Sequence, residues 1–254
     1  MNTPRTNRWE PGTQRGDPDK YPPAERDKGI PIPLVTAHDW LVKVDNRSRL
    51  EDHLDWYLRY YKGRFFEALR VENDSCRFDI RDISAAETLS VVVPPRAVNR
   101  LLDEDKTRDS LLDQICDSLV PGKDSLWSCE VELLTGDRKR MDTSGALFRL
   151  YYLLRGYGIG PVTTSKLLAA MFPNVVPIRD SKVSALLGLK PTEDWWLAAR
   201  RLFELDGGRV VSTLGGLEIA RDQSQPTIVR RLDIILWMEA SARGISPRRQ
   251  TEGE

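Results

Sequence analysis

Gly158, Ile159 and Gly160 lie between two segments whose apolar residues recur at helical spacing, so they predict a tight turn joining two helices. Glycine permits a positive φ and brings no Cβ atom, so the backbone of such a turn can approach a ligand closely. Pro161 suits the first position of the second helix, where any residue's N–H would lack an intrahelical acceptor. The amides at that N-terminus predict a binding site for a phosphate group.

Asp180 is the second residue whose position suggests chemistry. Together with Ser181 and Val183 it starts a short apolar-periodic segment, a position typical of a helix N-cap. An aspartate there accepts a hydrogen bond from a backbone amide and stabilises the helix by about 1 kcal/mol. A cap is the simplest interpretation of Asp180, and a catalytic role needs support from elsewhere in the chain.

The stretch from Leu154 to Leu189 resembles the helix-hairpin-helix DNA glycosylase superfamily, which is named for such a hairpin, a Gly/Pro-rich loop and an aspartate. The family pattern is an apolar helix, Gly-hydrophobic-Gly-x-x-Thr, an apolar run, a Pro-containing loop and Asp-(Ser/Thr)-x-Val. The chain meets this pattern at Gly158, Ile159, Gly160, Thr163, Pro173, Pro177, Asp180, Ser181 and Val183. The interval from the hairpin to the aspartate matches without a gap.

The resemblance implies that Asp180 is catalytic, because in the family this aspartate faces a nucleotide flipped out of duplex DNA. Breaking an N-glycosidic bond builds positive charge on the sugar, and a carboxylate stabilises that charge or activates water. The resemblance also implies DNA as the partner. The DNA-binding residues around the hairpin would be Gly158, Ile159, Gly160, Val162, Thr163 and Lys166.

The chain departs from one branch of the family at Val162. Members that also cut the DNA backbone have a Schiff-base lysine there, two residues after the second hairpin glycine. Lys166 is one helical turn further along, so we expect it not to project into the same place. The chain is therefore predicted to be monofunctional, releasing a base and leaving an abasic site. Retention of the hairpin for binding alone fits Val162 equally well.

A basic segment precedes the hairpin. The formal net charge of the chain is zero, which argues against attraction of nucleic acid to the whole surface. From Gly136 to Lys166, however, six basic residues stand against two acidic ones. Arg138, Lys139 and Arg140 are therefore candidate phosphate contacts, and a solvated helix face is the alternative that the sequence leaves open.

Other kinds of site have little support. His38 and His53 are the only histidines and lie in no carboxylate–cysteine arrangement, so a zinc site or a histidine-based triad is not expected. Cys76, Cys116 and Cys129 lack C-x-x-C spacing and are interpreted as core residues rather than a disulfide set or a metal site. No cysteine follows Cys129, so the C-terminal iron–sulfur cluster of some family members is absent, and no cofactor is predicted.

Length and composition set the outer limits of the fold. The 254 residues, 40% of them hydrophobic, can bury a sizeable core. No apolar run reaches the roughly 18 residues of a transmembrane helix, so no membrane partner is expected. The first residues lack the apolar region of a secretory signal, which predicts an intracellular, cytoplasmic protein.

The predicted fold is all-α. Residues 1–30 are rich in Pro, Gly, Arg and Asp and are predicted to be a disordered tail, and residues 246–254 a flexible tail. Residues 31–245 form the predicted helical domain, with the hairpin at about 146–172. The resemblance implies two helical lobes with a cleft between them and the hairpin in the middle lobe.

Helices outside the hairpin follow from apolar periodicity. The candidate caps of two of them are Asn46 or Ser48, and Asp82 or Ser84, and the final helix is predicted to run from about Thr227. In the helix that begins near Thr227, Arg230 and Arg231 are predicted to face outward, whereas Trp237, like Trp195 and Trp196, is predicted to be a core residue.

Three functions stay open at this point. The first is a DNA glycosylase, the second a non-catalytic DNA-binding protein of the same fold, in which Asp180 is only a cap. The third is a helical interaction module without nucleic acid, which draws on the zero net charge and on Val162. Salt-dependent DNA binding separates the third from the others, and base release separates the first from the second.

Overall fold

The structure is a computed structural model that describes residues 27–69, 76–119, 124–189, 194–220 and 223–245. Within these ranges all regular secondary structure is helical, which confirms the predicted all-α class. The helices are α1 (Leu34–Val42), α2 (Arg47–Tyr60), α3 (Arg64–Leu69), α4 (Ile80–Thr88), α5 (Pro95–Leu102), α6 (Lys106–Ser118), α7 (Val131–Leu134), α8 (Ala146–Gly156), α9 (Pro161–Met171), α10 (Ser181–Leu186), α11 (Trp195–Glu204), α12 (Arg209–Gly215) and α13 (Ile228–Ala242).

Two predicted segments fall largely outside these ranges. The tail predicted at 1–30 is described only from residue 27, and the tail predicted at 246–254 is not among the described residues. None of the described helices combines the length and the apolar character that crossing a bilayer requires.

The core forms where the apolar faces of α2, α8, α9 and α13 turn inward. Leu54, Leu150, Leu168 and Ile235, one from each of these helices, are completely buried. Helix α13 packs on α2 and α10, while α9 packs on α4 and α8. The helices that flank Asp180 and the hairpin are thus anchored in the core. The division into two lobes with a cleft stays a prediction.

Local sequence signals account for most helix starts. Helix α13 begins directly after Thr227, close to the predicted start, and Thr227 caps it through a bond from the Arg230 amide. The predicted cap of α4 was wrong. Asp79 accepts bonds from the Arg81 and Asp82 amides, while the Asp82 carboxylate binds the Asp79 amide, so the helix begins at a reciprocal capping box.

A disulfide contradicts the interpretation of all three cysteines as core residues. Cys76 and Cys116 are bonded across 40 residues, joining the segment before α4 to α6. Sequence spacing does not reveal this pairing, because it depends on which helices the fold brings together. Cys129 is free and buried, as predicted. Disulfides are rare in reducing compartments, so this bond does not favour the predicted cytoplasmic location. The location stays a prediction.

A buried charge cluster connects α2 with the end of α13. Glu239 is completely buried and receives bonds from Arg49 Nη2 at 2.6 Å and Arg243 Nε at 2.5 Å. His53, 1% exposed, lies with Nε2 2.7 Å from Glu239 Oε2. Burial lowers the pKa of His53 from its usual 6.5, although Glu239 opposes this shift.

The sign of this shift gives a prediction for stability. The pKa of His53 in the folded protein lies below 6.5, so the unfolded chain binds more protons than the folded chain as the pH falls through 6.5. The stability that neutral, buried His53 contributes is therefore lost as the pH falls. We expect His53→Gln, which cannot titrate, to flatten the fall in unfolding free energy between about pH 7.5 and 5.5, by up to about 1.4 kcal/mol per pH unit. Urea unfolding at several pH values measures this.

His38→Gln is the matched control, because His38 is the only other histidine and lies on α1. Parallel pH profiles for wild type and His53→Gln would contradict the assignment of the acid-sensitive proton to His53.

Candidate nucleic-acid interface and carboxylate cavity

Two packed helices joined by a short turn occupy the range of the predicted hairpin. Helix α8 ends at Gly156, residues 157–160 form the turn, and α9 begins at Pro161. Gly158 has φ +83°, a conformation that side chains of L-residues disfavour, which explains glycine at this position. Ile159 is only 2% exposed, so its side chain anchors the turn in the core.

The backbone amides of this turn are available to a ligand. Within the described ranges, the amides of Ile159, Gly160, Val162 and Thr163 have no protein acceptor, and the first bond of α9 runs from Thr164 to the Gly160 carbonyl at 2.9 Å. A Cβ atom added at Gly160 would meet open space, so nothing blocks the approach of a phosphate. The geometry is that of an anion site at a helix N-terminus.

The predicted basic residues Arg138, Lys139 and Arg140 are exposed in the loop before α8. Arg138 lies over the ring of Tyr152, 4.6 Å from its centroid, and Arg155 lies 5.7 Å from the same centroid. Tyr152 therefore holds two guanidinium groups against α8, the helix that leads into the hairpin turn. The two cations are thereby held beside the aromatic side chain of α8.

Lys166 does not belong to this surface. Its residue is 6% exposed, and Nζ donates a 2.7 Å bond to the Leu89 carbonyl in the loop after α4. Burial lowers the pKa of Lys166, while Asp180 acts in the opposite direction. The predicted phosphate contact is therefore corrected: Lys166 points from α9 into the interior and lines the same cavity as Asp180.

Asp180 caps α10, as the sequence predicts. Its Oδ1 accepts a 2.8 Å bond from the Lys182 amide. The side chain is half-buried and lines a cavity of about 50 Å³. Among the described residues, Oδ2 has no hydrogen-bond partner. The capping bond fixes the carboxylate while leaving one of its oxygens free for a second role.

The backbone just before Asp180 is held from three helices. The Ile178 amide donates to Asp233 Oδ2 of α13 at 2.9 Å, and the Ile178 carbonyl accepts from Trp195 Nε1 of α11 at 3.0 Å. The Arg179 amide donates to Ser165 Oγ of α9 at 2.7 Å. Asp180 thus takes its place through bonds to helices that are distant in sequence.

Arg230 was predicted to face outward, and this was wrong. It is 2% exposed, with Nε 2.9 Å from Glu67 Oε1 of α3 and Nη1 3.1 Å from Asp233 Oδ2. Burial alone would lower the pKa of Arg230, but Glu67, Tyr57 and Asp233 outweigh it and raise the pKa. An arginine is buried here because two carboxylates share its charge.

The cavity combines these groups with aromatic side chains. Its lining residues are Tyr57, Tyr61, Leu89, Lys166, Ile178, Asp180, Val183, Arg230, Asp233, Ile234 and Trp237. Sequence reasoning missed Asp233, Arg230 and Tyr61 as members of this site. One signal was present, since Arg230 and Asp233 stand three residues apart in a helix that is otherwise strongly apolar at its centre. In the described part of the chain, no group of three or more His, Cys, Asp or Glu residues suits a metal ion.

One protein family matches most of the chain. A family described as "Family of unknown function (DUF6308)" matches residues 49–240. The chain belongs to this family. No curated protein and no solved structure matches the chain. The matched range includes the hairpin, Asp180 and every residue that lines the cavity.

The capping bond of Asp180 predicts different effects of two substitutions on stability. Asp180→Ala removes the acceptor for the Lys182 amide and should lower the free energy of unfolding by about 1 kcal/mol, whereas Asp180→Asn keeps a side-chain oxygen and should cost a few tenths at most. Urea unfolding measures both. Equal losses in the two variants would show that the charge of Asp180, rather than its capping bond, contributes to stability.

Proposed function

We propose that this protein binds duplex DNA through its hairpin and removes a damaged or modified base from a flipped nucleotide, with Asp180 as the catalytic carboxylate. The observation that carries the proposal is the double use of α9. Its exposed N-terminus offers free amides to a phosphate, and its buried side carries Ser165, which holds the Arg179 amide beside Asp180. One short helix therefore links the strand-binding surface to the carboxylate.

The binding step uses backbone amides and guanidinium groups. A phosphate at the Gly160, Val162 and Thr163 amides gains from the helix dipole and from the absence of side-chain bulk at Gly160. Arg138 and Arg155 extend the positive surface along α8. Such local contacts allow binding by a chain whose formal net charge is zero.

The chemical step is hydrolysis of the N-glycosidic bond. The bond from C1′ to the base breaks, the oxygen of water bonds to C1′, and the proton released by water goes to the departing base. Positive charge develops on the sugar before water adds, and the free oxygen of Asp180 stabilises that charge, or it takes the proton from water and passes it to the base. The enzyme class is that of a monofunctional DNA N-glycosylase, a hydrolase.

A non-catalytic DNA-binding protein is the second candidate, and one observation favours it. The cavity beside Asp180 has about 50 Å³, whereas a cavity that holds a benzene ring has about 150 Å³. A whole base therefore enters only if side chains at the cavity mouth move. If they do not, Asp180 is a cap and the hairpin alone carries the function.

Gly160→Asp tests the binding step. The new carboxylate would stand where the proposal puts a phosphate, so we expect DNA affinity at low salt to fall by at least about fivefold. Val35→Asp on α1 is the matched control, because it adds the same charge at a position that is 86% exposed. Fluorescence anisotropy with a labelled duplex measures both, and circular dichroism verifies folding. Equal affinity of both variants and wild type would remove the hairpin from the interface.

Asp180→Asn tests the chemical step. The amide keeps the capping geometry but brings no negative charge, so base release should fall by at least about a hundredfold while DNA affinity stays within a few fold. The assay uses duplexes carrying uracil, oxidised guanine, alkylated purines or bulky modified cytosines, with alkali to reveal abasic sites. Release by wild type and Asp180→Asn at equal rates would exclude Asp180 from catalysis.

The same assay distinguishes a monofunctional glycosylase from an enzyme that also cuts the strand and from a non-catalytic DNA-binding protein. A monofunctional enzyme leaves strands intact until alkali is added. Strand cleavage without alkali would contradict this assignment and direct attention to Lys166, the amine in the cavity. Salt-sensitive binding without release from any duplex supports the non-catalytic candidate.

A further inference from the structure

Asp233 is a buried carboxylate that the proposed reaction does not use. It is 4% exposed and lies on α13 among the residues that line the cavity. Its Oδ2 accepts from both the Ile178 amide and Arg230 Nη1. Its Oδ1 is buried and has no partner, and among the described residues lining the cavity it is the only such side-chain atom. A buried acceptor without a donor is unfavourable, so Oδ1 calls for a partner, and the cavity is the place from which one can come.

The cavity offers a complementary donor and an aromatic wall. The Lys166 ammonium has three N–H groups, and its bond to the Leu89 carbonyl uses one of them. Tyr61 and Trp237 lie with ring centroids 4.7 Å apart and are half-buried. Flat, apolar side chains beside a few fixed polar groups are suited to a heteroaromatic ring whose edge carries hydrogen-bonding groups.

The size of the cavity restricts what enters it. A volume of about 50 Å³ admits a few waters, or the edge of a ring with an amino group, but not a complete base. The ring itself would lie at the mouth, against Tyr61 and Trp237.

We propose that Asp233 is the base-reading residue of this site: Oδ1 accepts a hydrogen bond from an N–H group on the pairing edge of a purine or pyrimidine. This inference rests on the proposed function in taking that base from a flipped nucleotide, and the same chemistry would bind a free nucleoside. Bases whose pairing edge carries no N–H donor are disfavoured, because they leave the buried oxygen without a partner.

The binding measurements require a pH at which the Asp233 carboxylate is ionised. Burial raises its pKa to about 7, against the attraction of Arg230. At about pH 8 the carboxylate is ionised and both oxygens are acceptors. Arg230, Glu67, Tyr57, Tyr61, Lys166 and Asp180 are the other titratable groups around it among the described residues, so all measurements are made at this one pH.

Two pairs of probes differ only in the amino group. Adenosine is compared with purine riboside, and cytidine with the riboside of pyrimidin-2-one. Each base is presented as a free nucleoside and as the central residue of one duplex sequence. We expect wild type to bind the amino-bearing member of each pair about tenfold or more tightly, since a hydrogen bond to a charged group contributes roughly 1.5–3 kcal/mol.

Asp233→Asn should abolish this preference. The amide oxygen takes over the bonds from Ile178 and Arg230, which puts the amide N–H₂ in the place of Oδ1, where it cannot accept a bond from the amino group. Asp194→Asn is the matched control, because Asp194 caps α11 and does not line the cavity. If Asp233→Asn does not fold, the Ile178 amide of the wild type serves instead. Its NMR shift should move with adenosine and stay still with purine riboside.

The outcomes separate this inference from the proposed function. A preference with nucleosides but not with duplexes supports Asp233 as a base-reading residue and counts against action on DNA. A preference with duplexes supports both. Equal binding of both members of each pair by wild type, or the same preference in wild type and Asp233→Asn, overturns the inference and leaves an ordered water as the partner of Oδ1.

Discussion

The buried guanidinium of Arg230 is the constraint on which the arrangement around Asp180 depends. It lies between Glu67 and Asp233, so it ties α13 to α3 while it neutralises part of the charge of both carboxylates. Asp233 in turn binds the Ile178 amide, two residues before Asp180. Removal of Arg230 would leave two acids buried without a cation, at a cost of roughly 3–5 kcal/mol. The position of Asp180 and the stability of the core are therefore coupled through one side chain.

The hairpin depends on a different interaction, and the two meet on α9. Ile159 anchors the turn in the core, and Gly158 permits its backbone conformation. On the buried side of the same helix, Lys166 binds the Leu89 carbonyl and Ser165 binds the Arg179 amide. A phosphate bound at the exposed amides would thus contact a helix whose other side lines the cavity. The turn and the cavity are therefore connected through the residues of α9.

Much of the local structure was predictable, whereas the composition of the cavity was not. Turns and helix starts depend on residues that are close in sequence, so local patterns indicate them. The structure has such features at Gly158, Pro161, Asp180 and Thr227. Arg230 was assigned to the surface because a charge on an amphipathic helix normally faces water. Its partner Glu67 lies 163 residues away, and no local pattern indicates that pairing.

The positions of Lys166 and the cysteines also depend on long-range packing that local patterns do not indicate. Helical spacing puts Lys166 one turn beyond Val162, but only the packing of α9 on α4 decides that its ammonium meets Leu89. Cys76 and Cys116 are joined by the approach of the segment before α4 to α6, which spacing does not indicate. Long-range packing therefore determines which predicted residues share a site.

One NMR titration tests the central claim that a single DNA molecule engages both the hairpin and the carboxylate cavity. A short duplex with a central abasic-site analogue would be added to ¹⁵N-labelled protein. The account predicts that the Gly160, Val162 and Thr163 amides and the Lys182 amide, which donates to Asp180, change in parallel with one dissociation constant. Changes at the hairpin amides with no change at Lys182 would contradict the account, since the DNA would then bind without reaching Asp180.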